Sequence, residues 1–200
     1  MSQRTLDPRM LDSSQALPAM SGAALTNLPG GGWEFVSATT ASGAGDYQAT
    51  GFTAGYDYKI TGYAVKPGTD GRITRLEFGT GSGPSYQTSN YCYGIDGAYS
   101  SSDSNDSGTS ASNIIFQYSA PGNSTNEQGV VDITIFNPAD TGNYTHMLFN
   151  GMWLNTTPDG STWSGGGYWK SNTAVTAARI YSTSGATISG QFKLYKRANA

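Results

Sequence analysis

AVTAARIYSTSGATISGQFKLYKRANA, residues 174–200, decides how the rest of the chain is read. Apolar and polar residues alternate in two runs separated by a Ser/Gly-rich turn. In the second run Phe192 and Leu194 fall on one side, and Gln191, Lys193 and Tyr195 on the other. A period of two is the signature of a half-buried antiparallel strand. The last run therefore reads as the strand that seals a small β-sandwich.

The same period recurs upstream. Alternating runs at 33–37, 57–65, 72–78, 91–95, 113–119, 130–136, 147–154, 175–181 and 190–196 are rich in Val, Ile, Thr, Tyr and Phe, with turn clusters between them. No stretch sustains a helical period, so the expected fold is all-β, an antiparallel jelly-roll-like sandwich. Pro67-Gly68-Thr69-Asp70-Gly71 and Thr183-Ser184-Gly185 supply turn residues and read as hairpins. In the run 72–78, Thr74, Leu76 and Phe78 share one face, while Ile73, Arg75 and Glu77 share a second, solvated face where Arg75 and Glu77 could pair.

Residues 1–32 are different in kind, with three prolines, a three-glycine run and no alternation beyond a possible helical turn after Asp7-Pro8. They read as an extended N-terminal arm preceding a sandwich at 33–200. An arm of this composition buries little by itself. Leu6, Pro8, Met10, Leu11, Leu17, Leu25 and Leu28 are its candidate anchoring residues on a partner surface.

Composition removes several classes of function. A net charge of −3 and a pI near 4.9 leave no basic stripe for phosphates, so no nucleic-acid partner is expected. The first fifteen residues carry charge and proline where a secretory signal needs an apolar core, and nothing approaches the ~20 apolar residues of a membrane span. No membrane insertion and no signal-peptide export are expected. Cys92 is the one cysteine, which rules out an internal disulfide; flanked by Tyr91 and Tyr93, it reads as a buried, inert thiol.

Nor does the sequence spell out a catalytic centre. His146 is the one histidine and has no nucleophile-elbow context, so it reads as a loop or strand-edge residue. Glu34, Glu77 and Glu127 lack surroundings that would raise a general acid's pKa. Asp103-Ser-Asn-Asp-Ser-Gly108 has calcium-loop composition without the EF-hand order, and it reads as solvated loop. No catalytic residue, cofactor or metal is expected. Three long polar segments, 99–112, 120–129 and 156–172, read as loops that display a binding surface.

Aromatic residues carry the stronger signal, with thirteen tyrosines and four tryptophans. Trp153, Trp163, Tyr168 and Trp169 fall close together beside Gly165-Gly166-Gly167. Flat apolar rings with a polar rim suit both sugar rings and protein interfaces. Tyr99, Trp163, Tyr168 and Trp169 are the candidate glycan or partner contacts. Trp163, in the segment TPDGSTWSGGG, is expected to be exposed.

Several segments resemble structural proteins of tailed-bacteriophage virions: YDYKI at 56–60 leading to VKPGTDG at 65–71, ITIFNP at 133–138, VTAARI at 175–180 and ISGQFKLY at 188–195. LPAMSGAALTNLP at 17–29 is similar to a linker of tail-fibre proteins. The resemblance is to tail-fibre tips, head fibres and capsid decorations. It implies a jelly-roll-like homotrimer on the virion surface, held to capsid, neck or tail subunits by its arm and displaying loops toward host-surface glycans. It supplies no catalytic residues. The absence of a shaft weakens a tail-fibre reading and favours a short appendage or a decoration protein seated directly on a capsid; the alternative to an appendage is a capsid cement protein, which would be present in hundreds of copies per particle. A polysaccharide depolymerase is the third reading.

Overall fold

A computed structural model describes residues 32–99, 102–118, 121–157 and 159–199. The arm and its anchoring candidates Leu6, Pro8, Met10, Leu11, Leu17, Leu25 and Leu28 lie outside the described residues. The compact unit that begins at Trp33 is all-β. Its strands are β1 (Glu34–Ala44), β2 (Asp46–Thr50), β3 (Tyr56–Pro67), β4 (Thr74–Thr80), β5 (Ser85–Tyr86), β6 (Tyr91–Tyr99) and β7 (Ser102–Ala111). They continue as β8 (Ile114–Gln117), β9 (Gly129–Phe136), β10 (Thr145–Leu154), β11 (Gly160–Trp169), β12 (Val175–Ser182) and β13 (Ile188–Ala198).

All pairings are antiparallel and fall into two sheets. The larger has the order β1-β13-β3-β9-β10-β11-β6-β7, and the smaller β2-β12-β4-β5 with β8 also on β4. Every alternating run read from the sequence lies within or overlaps one of these strands. As expected, β13 turns Phe192 and Leu194 inward and leaves Gln191 and Lys193 exposed.

The two turn clusters are not hairpins. Pro67 to Gly71 leads from β3 in the large sheet to β4 in the small one, and Thr183-Ser184-Gly185 leads from β12 back to β13. Both are corners between layers. Ser184 and Gly185 adopt the left-handed region, with φ of 58° and 69°, which lets the chain reverse while changing sheet. A turn signal reports a reversal, and the pairing partner is set elsewhere.

Two segments expected to be loops are strands. Residues 102–111 form β7, the large sheet's edge, which is solvated on both faces and so shows no apolar alternation. Its Asp103 and Asp106 are an odd number of residues apart and point to opposite faces, which separates the acidic side chains that had suggested a calcium loop. The segment 156–172 contains β11, which joins β10 to β6 in the middle of the sheet.

The layers are locked by rings. Tyr47 of the small sheet stacks on Phe192 of the large one, with centroids 4.2 Å apart and planes within 10°. Phe116 on β8 meets Phe149 and Trp153 of β10, both at 6.1 Å. Phe78 on β4 meets Tyr91 on β6, whose hydroxyl donates to no distant group but back across the layer to the Gln87 carbonyl at 3.2 Å. The Phe78 amide in turn donates to that hydroxyl at 2.7 Å. Such ring pairs contribute ~0.5–1.5 kcal/mol each beyond their area burial.

The smaller sheet hides a charge. Glu77 on β4 does not line a solvated face with Arg75; it is 3% exposed and pairs with Arg179 of the neighbouring strand β12 at 2.6 Å. The Tyr181 hydroxyl donates to its other oxygen at 2.6 Å. Cross-strand register, invisible in the run 72–78 alone, chooses the partner.

Buried tyrosines make the fold sensitive to alkali. Burial pushes Tyr47 up to about 12 and also raises Tyr91, Tyr93 and Tyr181, the last two further because Asp106 and Glu77 accept their hydroxyl protons. An unfolded tyrosine titrates near ~10. The native state therefore holds protons that the unfolded state has lost. This contribution to stability is complete below pH ~10 and is lost as pH rises toward and through the folded values. We expect the last part of the tyrosinate absorbance, from these four side chains, to appear together with loss of the β circular dichroism signal in an alkaline titration; full tyrosinate absorbance with the fold intact would contradict it.

Candidate functional site

Antiparallel strands that pack on one side leave a complete second face to solvent. On the large sheet this outer face carries a row of polar side chains in strict register across six strands: Thr61, Asp132, Asn150, Ser164, Asp96 and Asn105. Residues far apart in sequence thus stand side by side at the ~4.8 Å strand spacing. The row lies in a groove of about 940 Å³. One wall is the next row, where Val130, Met152 and Thr162 stand in register, with Tyr63 exposed at its end.

The groove's polar groups are largely unspent. Asp132 is paired with Lys59 at 2.6 Å. The side chains of Asp96, Asn105, Asn150 and Ser164 make no hydrogen bond to another described residue, although each is exposed on the groove floor or rim. They present carboxylate, amide and hydroxyl groups to whatever enters.

A second hollow, of about 580 Å³, adjoins on the same face. Between the two runs the row Leu148, Gly166, Gly94 and Ser107, and beyond it Phe136, His146 and Tyr168. Tyr144 lies parallel to Tyr168, with centroids 6.1 Å apart, and the His146 ring leans on Tyr168 at 5.4 Å. His146 is exposed on β10, its Nδ1 2.7 Å from the Tyr144 carbonyl. Leu148 is 56% exposed beside them.

Of the aromatic residues singled out from the sequence, Tyr168 alone takes part in this exposed cluster. Trp163 is a core residue, 2% exposed, and meets Tyr118 edge-on at 6.2 Å. Trp169 is also buried, with its indole N–H donating to the Ser89 carbonyl at 3.0 Å. Tyr99 is half-buried at the far end of β6, opposite Ser161. β11 sends odd-numbered Trp163 and Trp169 to the core and even-numbered Ser164 and Tyr168 outward, so proximity in sequence did not place the rings together. Trp153 fills the core from β10. Cys92 belongs to the outer face, in register with Tyr168 at the hollow, but is buried there, its thiol donating to the Thr109 carbonyl at 3.3 Å.

Sequence reasoning missed the polar row entirely. Its members come from six strands, and each looks like an ordinary solvent-facing residue in its own run. The one local signal was the alternation of β9, which already set Val130, Asp132 and Thr134 on a common side. Among the described residues no group of three or more His, Cys, Asp or Glu side chains could hold a metal ion. No described helix is long and apolar enough to cross a membrane. The sequence matches no protein-family model and no curated protein.

Proposed function

We propose that this chain is a structural protein of a bacteriophage virion, a small tail-fibre-like or head-fibre-like appendage without catalytic activity. Its arm anchors it to capsid, neck or tail subunits, and its sandwich, of jelly-roll type, faces outward as a homotrimer and contacts host-surface glycans. The observation that carries the adhesive part is the groove of unspent acceptors across the outer face of the large sheet. Contact through that face replaces the loop contacts expected from the sequence.

The edges support assembly. β7 is guarded by Asp103 and Asp106, whereas β1 exposes Phe35 and Val36 on an edge whose sole charged residue is Glu34. An edge strand of eleven residues with a single charge, at its first position, is open to pairing with a neighbouring chain. Deleting residues 2–32 is the test. We expect the shortened protein to keep its β circular dichroism spectrum and to be missing from purified particles. Particles that still carry it would refute anchoring by the arm.

A further inference from the structure

The groove's row of Ser164 and Asp96 borders the hollow's Gly166 and Gly94, which face each other in register on β11 and β6. Their neighbours on the same face enclose a slot. Tyr168 closes one end and Ser164 and Asp96 the other; the Leu148 side chain lies over Gly166, which leaves the open floor at Gly94, with Ser107 beside it. Successive rows lie ~7 Å apart, so the slot and the polar row together extend over ~14 Å along the strands.

Most strand glycines of the described sandwich have a reason internal to the fold. A Cβ at Gly97, Gly129, Gly151 or Gly165 would overlap a tryptophan ring or a neighbouring backbone, and Gly43 and Gly190 have positive φ. Gly94 has neither reason: a Cβ there would meet nothing within 4 Å, and its φ is ordinary. The fold would accept a side chain at this point, yet the outer face is bare. A glycine inside a strand costs stability and can mark the close approach of a ligand.

We propose that this slot is a sugar-ring subsite, and that the full groove takes a neutral glycan; the proposal rests on the adhesive reading above. A pyranose offers a C–H face for Leu148 and the Tyr168 ring and a rim of hydroxyls for Ser164, Asp96, Asn150 and Asn105. Ionised carboxylates accept two hydroxyl donors at once, which suits vicinal diols. Charge fixes the class. Asp96 and Asp103 line the slot's end of the groove without a cationic partner, Lys59 is engaged by Asp132, and the exposed Lys193 stands at the opposite end of the row, in register with Thr61, so uronic-acid, sialylated, sulfated and phosphate polymers meet repulsion at the slot.

The test uses the full chain on an array that holds neutral hexose and amino-sugar oligosaccharides beside sialylated, sulfated and uronic-acid ones. Gly94→Thr fills the slot with a strand-favouring residue, and Gln191→Thr, on the far strand β13, is the control. Binding to a neutral glycan is expected, weakened at least tenfold by Gly94→Thr and unchanged by Gln191→Thr, with the melting temperature of Gly94→Thr equal to or above that of the parent. Neutral-glycan binding that survives Gly94→Thr within twofold overturns the slot and leaves adhesion standing. Binding confined to charged glycans overturns the neutral class. Silence across the array overturns the subsite and the adhesive reading together.

Discussion

Trp163→Ala is expected to lower the unfolding free energy by about 3–5 kcal/mol, the range for deleting a fully buried large aromatic side chain. The indole lies over Gly97, its direct partner on β6, where a Cβ would overlap it, while the space beside its other partner, Gly151 on β10, is taken by the Trp153 ring. Gly97 has no side chain to swing in and the Trp153 ring is already packed, so the cavity persists. Urea denaturation provides the measurement, read as a fall in midpoint at unchanged slope. A loss below about 1 kcal/mol would return Trp163 to the surface, where the sequence had put it.

Arg179→Met is expected to cost about 3 kcal/mol or more, because it strands a carboxylate that the fold has withdrawn from water. Both the Nε and Nη2 groups of Arg179 donate to one oxygen of Glu77, at 2.9 and 2.6 Å, and the guanidinium packs against the Tyr86 and Tyr181 rings at 4.5 and 5.0 Å. The Tyr181 hydroxyl would remain as a single donor and would not neutralise the charge. Removing both charges, as Glu77→Leu with Arg179→Met, is expected to recover most of the loss, since the desolvation cost leaves with the pair. A double-mutant cycle in urea measures the coupling; additive losses would show that the two side chains act independently.

Trp163 and Glu77 also show where the sequence was legible. A strand's period is local, so β3, β9, β12 and β13 could be recognised from their own residues. β7 could not, because an edge with water on both faces has no apolar side to alternate. β11 was hidden by Gly165, Gly166 and Gly167, which read as loop punctuation. In the sheet, Cβ atoms at 165 and 167 would collide with the backbone of β6, so at those two positions close strand packing requires glycine.

The candidate site was less legible still. Tyr168 was found for its aromatic character, but Trp163 and Trp169 were grouped with it on proximity in the chain, which a period of two contradicts. Asp96, Asn150 and Ser164 had no distinguishing mark in their own runs, and only register makes them neighbours.

The sequence by itself determined that the described part of the chain is all-β, that its last strand has one apolar and one polar face, and that its net charge is −3. These follow from alternation and composition, which involve residues a few positions apart or simple totals. Tertiary structure decided which sheet each strand joins, that two turn clusters are corners between layers, which tryptophans are buried, and which polar residues share a groove. Each of those depends on pairing between segments separated by tens of residues, where a shift of one position moves every side chain to the opposite face.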